Sequence, residues 1–489
     1  MQEYRYDGDI NNGKHYDEIV EADRSELLTR QFKLIDSEIP VVIVISGMVG
    51  SGKSEIINLL NEWMDTRFIE THVHRPPSDE EADRPYFWKY WRRLPGEGET
   101  GLFLGSWYTQ PWLDHIDGSI SKKKYLSRLQ DIVRFEELLA ADGTLIIKIR
   151  LELTEKQQIK RIKATKNRPA YSWRMSADDM DNGYPFEKKK KLADEMMEFT
   201  DLPHAPWFRV DASQPRRRNL SVMHLLTTFF DENLKRGGPD LSGIERPNGF
   251  LPSKDFMAEM DLTPSIDRPD YTVQMEKLRK KIFKNVWKAH QNKRSLVCVF
   301  EGADAAGKGG SIRRLIRAVD ARLFRVIQIA APKGREKTTH YLHRFWRRIP
   351  RAGFVTIYDR SWYGRVLVER VEGFATEEEW KRAYAEINQF EKELTDAGVV
   401  VLKFWLEISA DEQLKRFKAR EVTEHKKFKI TDDDWRNREK RTEYQSAIND
   451  MVERTSTDYA PWHLIPAEDK KFARVEVLRL VHDALKKMK

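Results

Sequence analysis

Two stretches of the chain carry the same succession of apolar and polar positions. Leu296, Val297, Cys298, Val299 and Phe300 form an unbroken apolar run bounded by charge, which is the pattern of a strand buried on both faces. Glu301 closes the run. Gly302-Ala303-Asp304-Ala305-Ala306-Gly307-Lys308-Gly309-Gly310 follows, and residues 311–315 open an amphipathic helix. Earlier in the chain the same order appears as a strand over 41–45, the loop Gly47-Met48-Val49-Gly50-Ser51-Gly52-Lys53 and a helix over 55–65. Runs at 354–358 and 399–406 read as further strands, with counterparts at 101–104 and 145–151. Helical periodicity is expected over 275–290, 337–348, 377–394, 410–420, 434–454 and 474–488. Strands alternating with helices predict an α/β chain with a parallel sheet covered on both faces, a three-layer α/β/α arrangement.

The two stretches belong to a long internal repeat. The offset 302 − 47 = 255 also pairs Phe345-Trp346-Arg347-Arg348 with Tyr90-Trp91-Arg92-Arg93. It pairs Ser361-Trp362-Tyr363 with Ser106-Trp107-Tyr108, Phe390-Glu391 with Phe135-Glu136, and Ala460-Pro461-Trp462 with Ala205-Pro206-Trp207. A constant offset over so long a span implies a fused duplication, each copy a domain. The expected organisation is a first copy over 1–235, a linker over 236–270 rich in Gly, Pro, Ser and Asp, and a second copy over 271–489.

Charge adds a partner class. The net charge of +8 implies a polyanion: nucleic acid, an acidic membrane surface or a phosphate-rich substrate. The single cysteine, Cys298, excludes intrachain disulfides and fits a reducing compartment, so a cytoplasmic location is expected. The N-terminal residues do not read as a signal peptide and no apolar run reaches a membrane-spanning length.

Strand, glycine-rich loop and helix with a lysine at the helix mouth form a phosphate cradle: backbone N–H groups face an anion and Lys308 adds a charge. The spacing from Gly302 to Gly307-Lys308 is the Walker A, or P-loop, spacing, and the architecture it predicts is P-loop kinase-like. Gly309 stands where Ser or Thr ordinarily contacts magnesium, so Asp304 becomes the candidate metal ligand. A glycine-rich turn with a solvated lysine is the plain alternative. Asp359 ends the apolar run 354–358, the place of a Walker B carboxylate; it could equally cap a helix starting at Ser361. Arg360 and Arg365 offer planar forks suited to phosphate, whereas Trp362 and Tyr363 read as packing residues. The expected helix over 337–351 would set Arg344, Arg347, Arg348 and Arg351 on one face, preceded by Lys333 and Arg335, and an anion there would relieve their repulsion. Arg416 and Arg420 lie one turn apart, followed by Lys426, Lys427 and Lys429, where a lid would deliver an arginine to a transferring phosphoryl group. No general base stands out, which favours a phosphate over a hydroxyl as acceptor.

Gly302 to Gly310, Asp359-Arg360-Ser361-Trp362-Tyr363-Gly364-Arg365 and Ala460-Pro461-Trp462 with its basic tail resemble the signatures of the polyphosphate kinase 2 family. The two-copy layout resembles the family's fused branch, which phosphorylates AMP to ADP. The resemblance implies a phosphotransferase that uses inorganic polyphosphate and AMP/ADP with Mg2+, or Mn2+ in its place. It implies Asp304 and Asp359 as metal ligands, Lys308 and Arg360 on the phosphates and Arg420 as the lid arginine. Gly302, Gly307, Gly309, Gly310, Lys333, Arg344, Arg347, Arg348, Arg351, Arg365 and Arg416 are the further candidates for binding polyphosphate or nucleotide. Neither a nucleic-acid nor a membrane partner is expected, and a homo-oligomer is compatible with the layout. ADP or GDP as acceptor, or a nucleic-acid-binding P-loop ATPase, are the competing readings.

The first copy holds the fuller Walker A match, with Ser54 after Lys53. At the 255-residue offset, however, Asp304 becomes Val49, Asp359 Leu104, Arg360 Gly105, Arg365 Gln110 and Arg420 Thr165. The first copy is therefore expected to be a degenerate, non-catalytic domain.

Overall fold

The computed structural model describes residues 2–8, 10, 13–166, 184–244, 251–424 and 432–488. The chain divides into two compact units. One comprises Met1–Pro76, Tyr90–Glu245 and Gly334–His340; the other Pro77–Lys89, Arg246–Lys333 and Tyr341–Lys489. Each unit thus takes in a short stretch from the other repeat, and the two stretches occupy matching positions at the 255-residue offset. Among the described residues, 251–267 of the expected linker belong to the second unit; residues 245–250 lie outside the described residues.

The first unit is built on strands β1 (Gln2–Tyr4), β2 (Val41–Gly47), β3 (Ile69–Val73), β4 (Thr100–Leu104), β5 (Leu145–Glu152) and β6 (Trp207–Asp211), in the order β1-β6-β5-β2-β4-β3. The second contains β7 (Ser295–Gly302), β8 (Phe324–Gln328), β9 (Val355–Asp359), β10 (Val399–Glu407) and β11 (Trp462–Pro466), in the order β11-β10-β7-β9-β8. Every pairing is parallel. The duplication extends to the register: Gly302 faces Leu406 and Asp359 faces Phe300, as Gly47 faces Leu151 and Leu104 faces Ile45. Helices cover both faces of each sheet, so each unit is a three-layer α/β arrangement.

Two-sided burial explains the unbroken apolar runs. Leu296, Cys298 and Phe300 join a core with Ile282, Val286 and Leu478, which lie on helices Arg268–Gln291 and Lys470–Lys487. The opposite face of β10 carries Lys403, because successive side chains alternate. Lys403 Nζ lies 2.8 Å from Glu391 Oε2, and both side chains are fully buried. Trp362 Nε1 and Tyr363 Oη donate to the other carboxylate oxygen, and Lys403 also donates to the Thr455 carbonyl. The first unit repeats this network with Lys148, Glu136, Trp107, Tyr108 and Thr200. Trp362 and Tyr363 are core residues in the second unit. A buried pair of charges persists when its remaining polar atoms are satisfied, and here they are.

Two expected elements differ. The helix over 337–351 does not form: a 3-10 turn at Gly334–Glu336 and a single turn at His343–Trp346 replace it. Thr338 and Thr339 are poor helix formers, and the chain changes compact unit between His340 and Tyr341. Arg344, Arg347, Arg348 and Arg351 therefore share no helical face. The helix over 434–454 is broken at Lys440 into Asp432–Glu439 and Arg441–Thr455. Strands β8 and β11, their counterparts β3 and β6, and β1 were not anticipated; β1, β3, β8 and β11 are edge strands, where half-exposed positions dilute the apolar signal, and β6 lies one place in from β1.

Candidate functional site

The C-terminal ends of β7, β9 and β10 converge on one cleft in the second unit. Gly307 precedes helix Lys308–Ile316, and Gly309 and Gly310 fall in its first turn. Lys308 Nζ folds back to donate to the carbonyls of Gly302 (2.5 Å) and Ala303 (3.4 Å). Asp304 is held from two sides: Asn437 Nδ2 donates to Oδ2 at 2.9 Å, and Arg360 Nη2 lies 3.8 Å from Oδ1. Asp359 ends β9, directly across from Phe300.

Two residues here sit in the left-handed backbone region that side chains disfavour, Ala305 (φ 65°) and Arg360 (φ 64°). The first unit has glycine at both matching positions, Gly50 (φ 80°) and Gly105 (φ 72°). The same backbone path is relaxed in one unit and strained in the other, and strain of this kind collects at functional sites.

The cleft has a volume of about 210 Å³. Its polar lining includes Glu301, Asp304, Lys308 and Arg360, its apolar lining Leu367, Val368, Ile408 and Ile448, and Tyr444 and Arg441 join them from helix Arg441–Thr455. Met257 and Leu262 also reach it. Glu301 and Glu407 are buried carboxyls. Burial pushes both above the usual carboxylate range, against the pull of Lys308 and a Ser361 hydrogen bond on Glu301, and of Trp405 and Arg441 on Glu407. Ser361 Oγ donates to Glu301 at 2.8 Å and Trp405 Nε1 to Glu407 at 2.7 Å.

Glu301, Glu407, Asn437, Arg441, Tyr444, Met257 and Leu262 escaped sequence reasoning. Glu301 left one signal, an acid closing an otherwise apolar strand. The first repeat has Ser46 there. The others come from segments remote in sequence, which only folding brings together.

Several sequence candidates stand elsewhere. Arg416 is buried, and its guanidinium donates to the carbonyls of Ala305, Ala306, Ala467 and Glu468. It supports the glycine-rich loop from beneath, as Arg161 does with the Gly50 and Ser213 carbonyls. Arg365 lies 3.2 Å from Glu369 and 3.7 Å from Glu379, over the Tyr341 ring. Arg351 pairs at 2.8 Å with Asp83, a first-repeat residue within the same unit. Arg344 donates to the Ala330 carbonyl, Lys333 and Arg347 are exposed, and Arg348 is half-buried. Arg420 occupies the last turn of helix Ala410–Glu421, outside the cleft lining. Lys426, Lys427 and Lys429 lie outside the described residues.

The first unit keeps the loop but not its acid. Lys53 donates to the Gly47 and Met48 carbonyls, yet Val49 replaces the acid. The buried Arg218 donates to the Ser51 carbonyl and pairs with Glu55 at 2.8 Å.

Residues 11–237 and 265–489 each match the family model described as Polyphosphate kinase 2. A polyphosphate:AMP phosphotransferase of Pseudomonas aeruginosa is 42% identical over 480 residues, covering 96% of this chain and 95% of the relative. An ADP-polyphosphate phosphotransferase 3 of Rhizobium meliloti is 42% identical over 183 residues, covering 37% of this chain and 64% of the relative. Among solved structures, a crystal structure assigned to polyphosphate kinase 2 of Pseudomonas aeruginosa PA01 superposes with a TM-score of 0.85 at 39% identity, covering 99% of this chain and 98% of that one.

Proposed function

The chain belongs to the polyphosphate kinase 2 family, and we propose that its second unit transfers the terminal phosphoryl group of inorganic polyphosphate to AMP, giving ADP. The observation that carries this reading is the likeness to a polyphosphate:AMP phosphotransferase across both repeats, 96% of this chain. In the reaction an oxygen of the AMP phosphate forms a bond to the terminal phosphorus of polyphosphate. The bridging P–O bond breaks, its electrons stay with the shortened chain, and ADP results. The attacking oxygen is already anionic, so the site needs positioning and charge neutralisation more than a base. Lys308 and Arg360 in the cleft lining supply positive charge, and the loop and first helical turn supply N–H groups. We read strand, loop and helix over 295–316 as a P-loop and Asp359 as its Walker B acid, and Arg420 as an arginine that a lid brings in.

Among the described residues no group of three or more His, Cys, Asp or Glu forms a metal cage. That donor set still fits Mg2+, which is held by one or two carboxylates with substrate phosphates completing its shell; Asp304 and Asp359 would be those carboxylates, and Mn2+ takes the same oxygens. When bound, the ion neutralises charge on the phosphates. The first unit serves packing, stability or polyphosphate docking, with Lys53, Arg92 and Arg93 among the cations it keeps at the repeat offset.

The test is product analysis with purified full-length chain, magnesium, long-chain polyphosphate and AMP, ADP or GDP in separate tubes, beside Asp359→Asn. ADP from AMP, lost in the variant, is expected. ATP or GTP as the main product would move the acceptor, a reading favoured by the likeness to the ADP-polyphosphate phosphotransferase. No polyphosphate-dependent product would overturn the proposal.

A further inference from the structure

Residues 251–267 form no regular secondary structure, yet they are pinned at both ends to the second unit. Ser253 Oγ donates to Asp450, and Arg454 donates to the Leu251 carbonyl. The Asp255 carboxylate accepts from Asn449 Nδ2 at 2.9 Å, and the Met257 N–H donates to Asn449 Oδ1 at 3.3 Å. At the far end the Ile266 N–H donates to Asp469 Oδ2 at 3.0 Å. Between these anchors Met257 and Leu262 enter the cleft lining. They do so with Ile448, one residue before Asn449 on the helix that grips the strap, and with Leu367, Val368 and Ile408. Both residues fall between the two stretches matched by the family model, 11–237 and 265–489. In the first repeat the counterparts of Met257–Glu259 at the 255-residue offset, Gln2–Tyr4, instead form an edge strand paired with β6.

Polyphosphate offers no apolar surface. A nucleotide offers one, the faces of its base. The charged lining residues account for phosphates, and the apolar lining residues need a different occupant. Resting on the nucleotide reading above, we infer that the strap is a wall of the base subsite and that Met257 and Leu262 set the preference for a purine nucleoside monophosphate. Asn449 is a positioning residue: it is absent from the cleft lining and acts by holding the strap. A purine presents more apolar area to this wall than a pyrimidine, so the wall selects for the larger base.

The full-length protein tests this with Met257→Ser, Leu262→Ser and the conservative Met257→Leu. AMP binding is read by isothermal titration, and KM for AMP, CMP and polyphosphate by steady-state kinetics. Each serine variant should weaken AMP binding and raise its KM about tenfold, the scale of a lost apolar contact in a specificity pocket. The preference for AMP over CMP should shrink, KM for polyphosphate and kcat should stay within about twofold, and Met257→Leu should restore AMP binding. Asn449→Ala should reproduce the AMP defect without touching KM for polyphosphate. Unchanged AMP affinity in a folded serine variant, or equal losses for AMP and polyphosphate, would overturn the inference. Failure of the parent protein to turn over AMP would sink the proposed reaction separately, since titration reads the base subsite without turnover.

Discussion

Arg360 carries a backbone strain that the first repeat has shed, and Arg360→Gly separates stability from activity. At φ 64° a side chain crowds its own backbone, at a cost of roughly 1–2 kcal/mol. Glycine removes that cost but gives the unfolded chain extra freedom, worth about 0.5–1 kcal/mol in the other direction. The lost pairing to Asp304, at 3.8 Å and with Arg360 56% exposed, contributes within about 0–1 kcal/mol. The backbone bond from Arg360 N–H to the Phe300 carbonyl survives either way. Against the parent the balance runs from about 1 kcal/mol of destabilisation to about 1.5 kcal/mol of stabilisation; against Arg360→Ala, which loses the same pairing, it runs from about 0 to 1.5 kcal/mol of stabilisation. Activity should move far more: a charged donor removed from a transferring phosphoryl group costs about 10²–10³-fold in kcat. Arg360→Ala is the control, because it removes the guanidinium and keeps the strain. Urea unfolding followed by tryptophan fluorescence, with the slope checked for constancy, should place Arg360→Gly at or above Arg360→Ala and within about 1.5 kcal/mol of the parent, with both variants nearly inactive. Arg360→Gly unfolding before Arg360→Ala, or keeping turnover within threefold of the parent, would refute the reasoning.

Glu391→Leu leaves the Lys403 ammonium buried without its counter-charge and should destabilise the chain by about 3–5 kcal/mol, while Glu391→Leu with Lys403→Met should recover most of that in thermal melts. In the single variant the folded state holds the Lys403 proton less tightly than the unfolded state, so its stability should rise with pH. Burial holds the Glu301 carboxyl above its ordinary range, so the folded state binds that proton more tightly than the unfolded chain. Stability should therefore fall as pH climbs from the ordinary carboxylate pKa toward the raised one, and Glu301→Gln should flatten that fall in urea titrations at several pH values. Lys308→Ala should abolish polyphosphate-dependent ADP formation, whereas Lys53→Ala should leave it within about twofold, in side-by-side turnover assays of folded protein. Asp304→Asn, which is nearly isosteric and can still meet Asn437, should keep the melting temperature and lose product formation; full activity would remove Asp304 from the chemistry.

The duplication, the α/β class and the central strands were legible in the sequence because local features encode them. Unbroken apolar runs such as Leu296 to Phe300 report burial on both sheet faces, and a glycine-rich stretch with Lys308 reports a strand-to-helix turn. The contrast between Asp304 and Val49, or Arg360 and Gly105, needed only the repeat offset. Other features depend on contacts that no local pattern carries. Arg416 and Arg365 look like Arg360 in sequence, but one supports loop carbonyls and another faces Glu369 and Glu379. An arginine's role follows from what surrounds its guanidinium, and those neighbours come from distant segments. The same holds for the strap: residues that read as a polar linker gain two apolar cleft positions once Asn449 and Asp469 anchor them. It holds too for the helix expected over 337–351, which periodicity favoured and the passage of the chain between compact units prevents. Periodicity fixes which face of an element is apolar. Which residues from distant parts of the chain meet at a site is decided by tertiary packing, because only there do the solvation and pairing of each charge get settled.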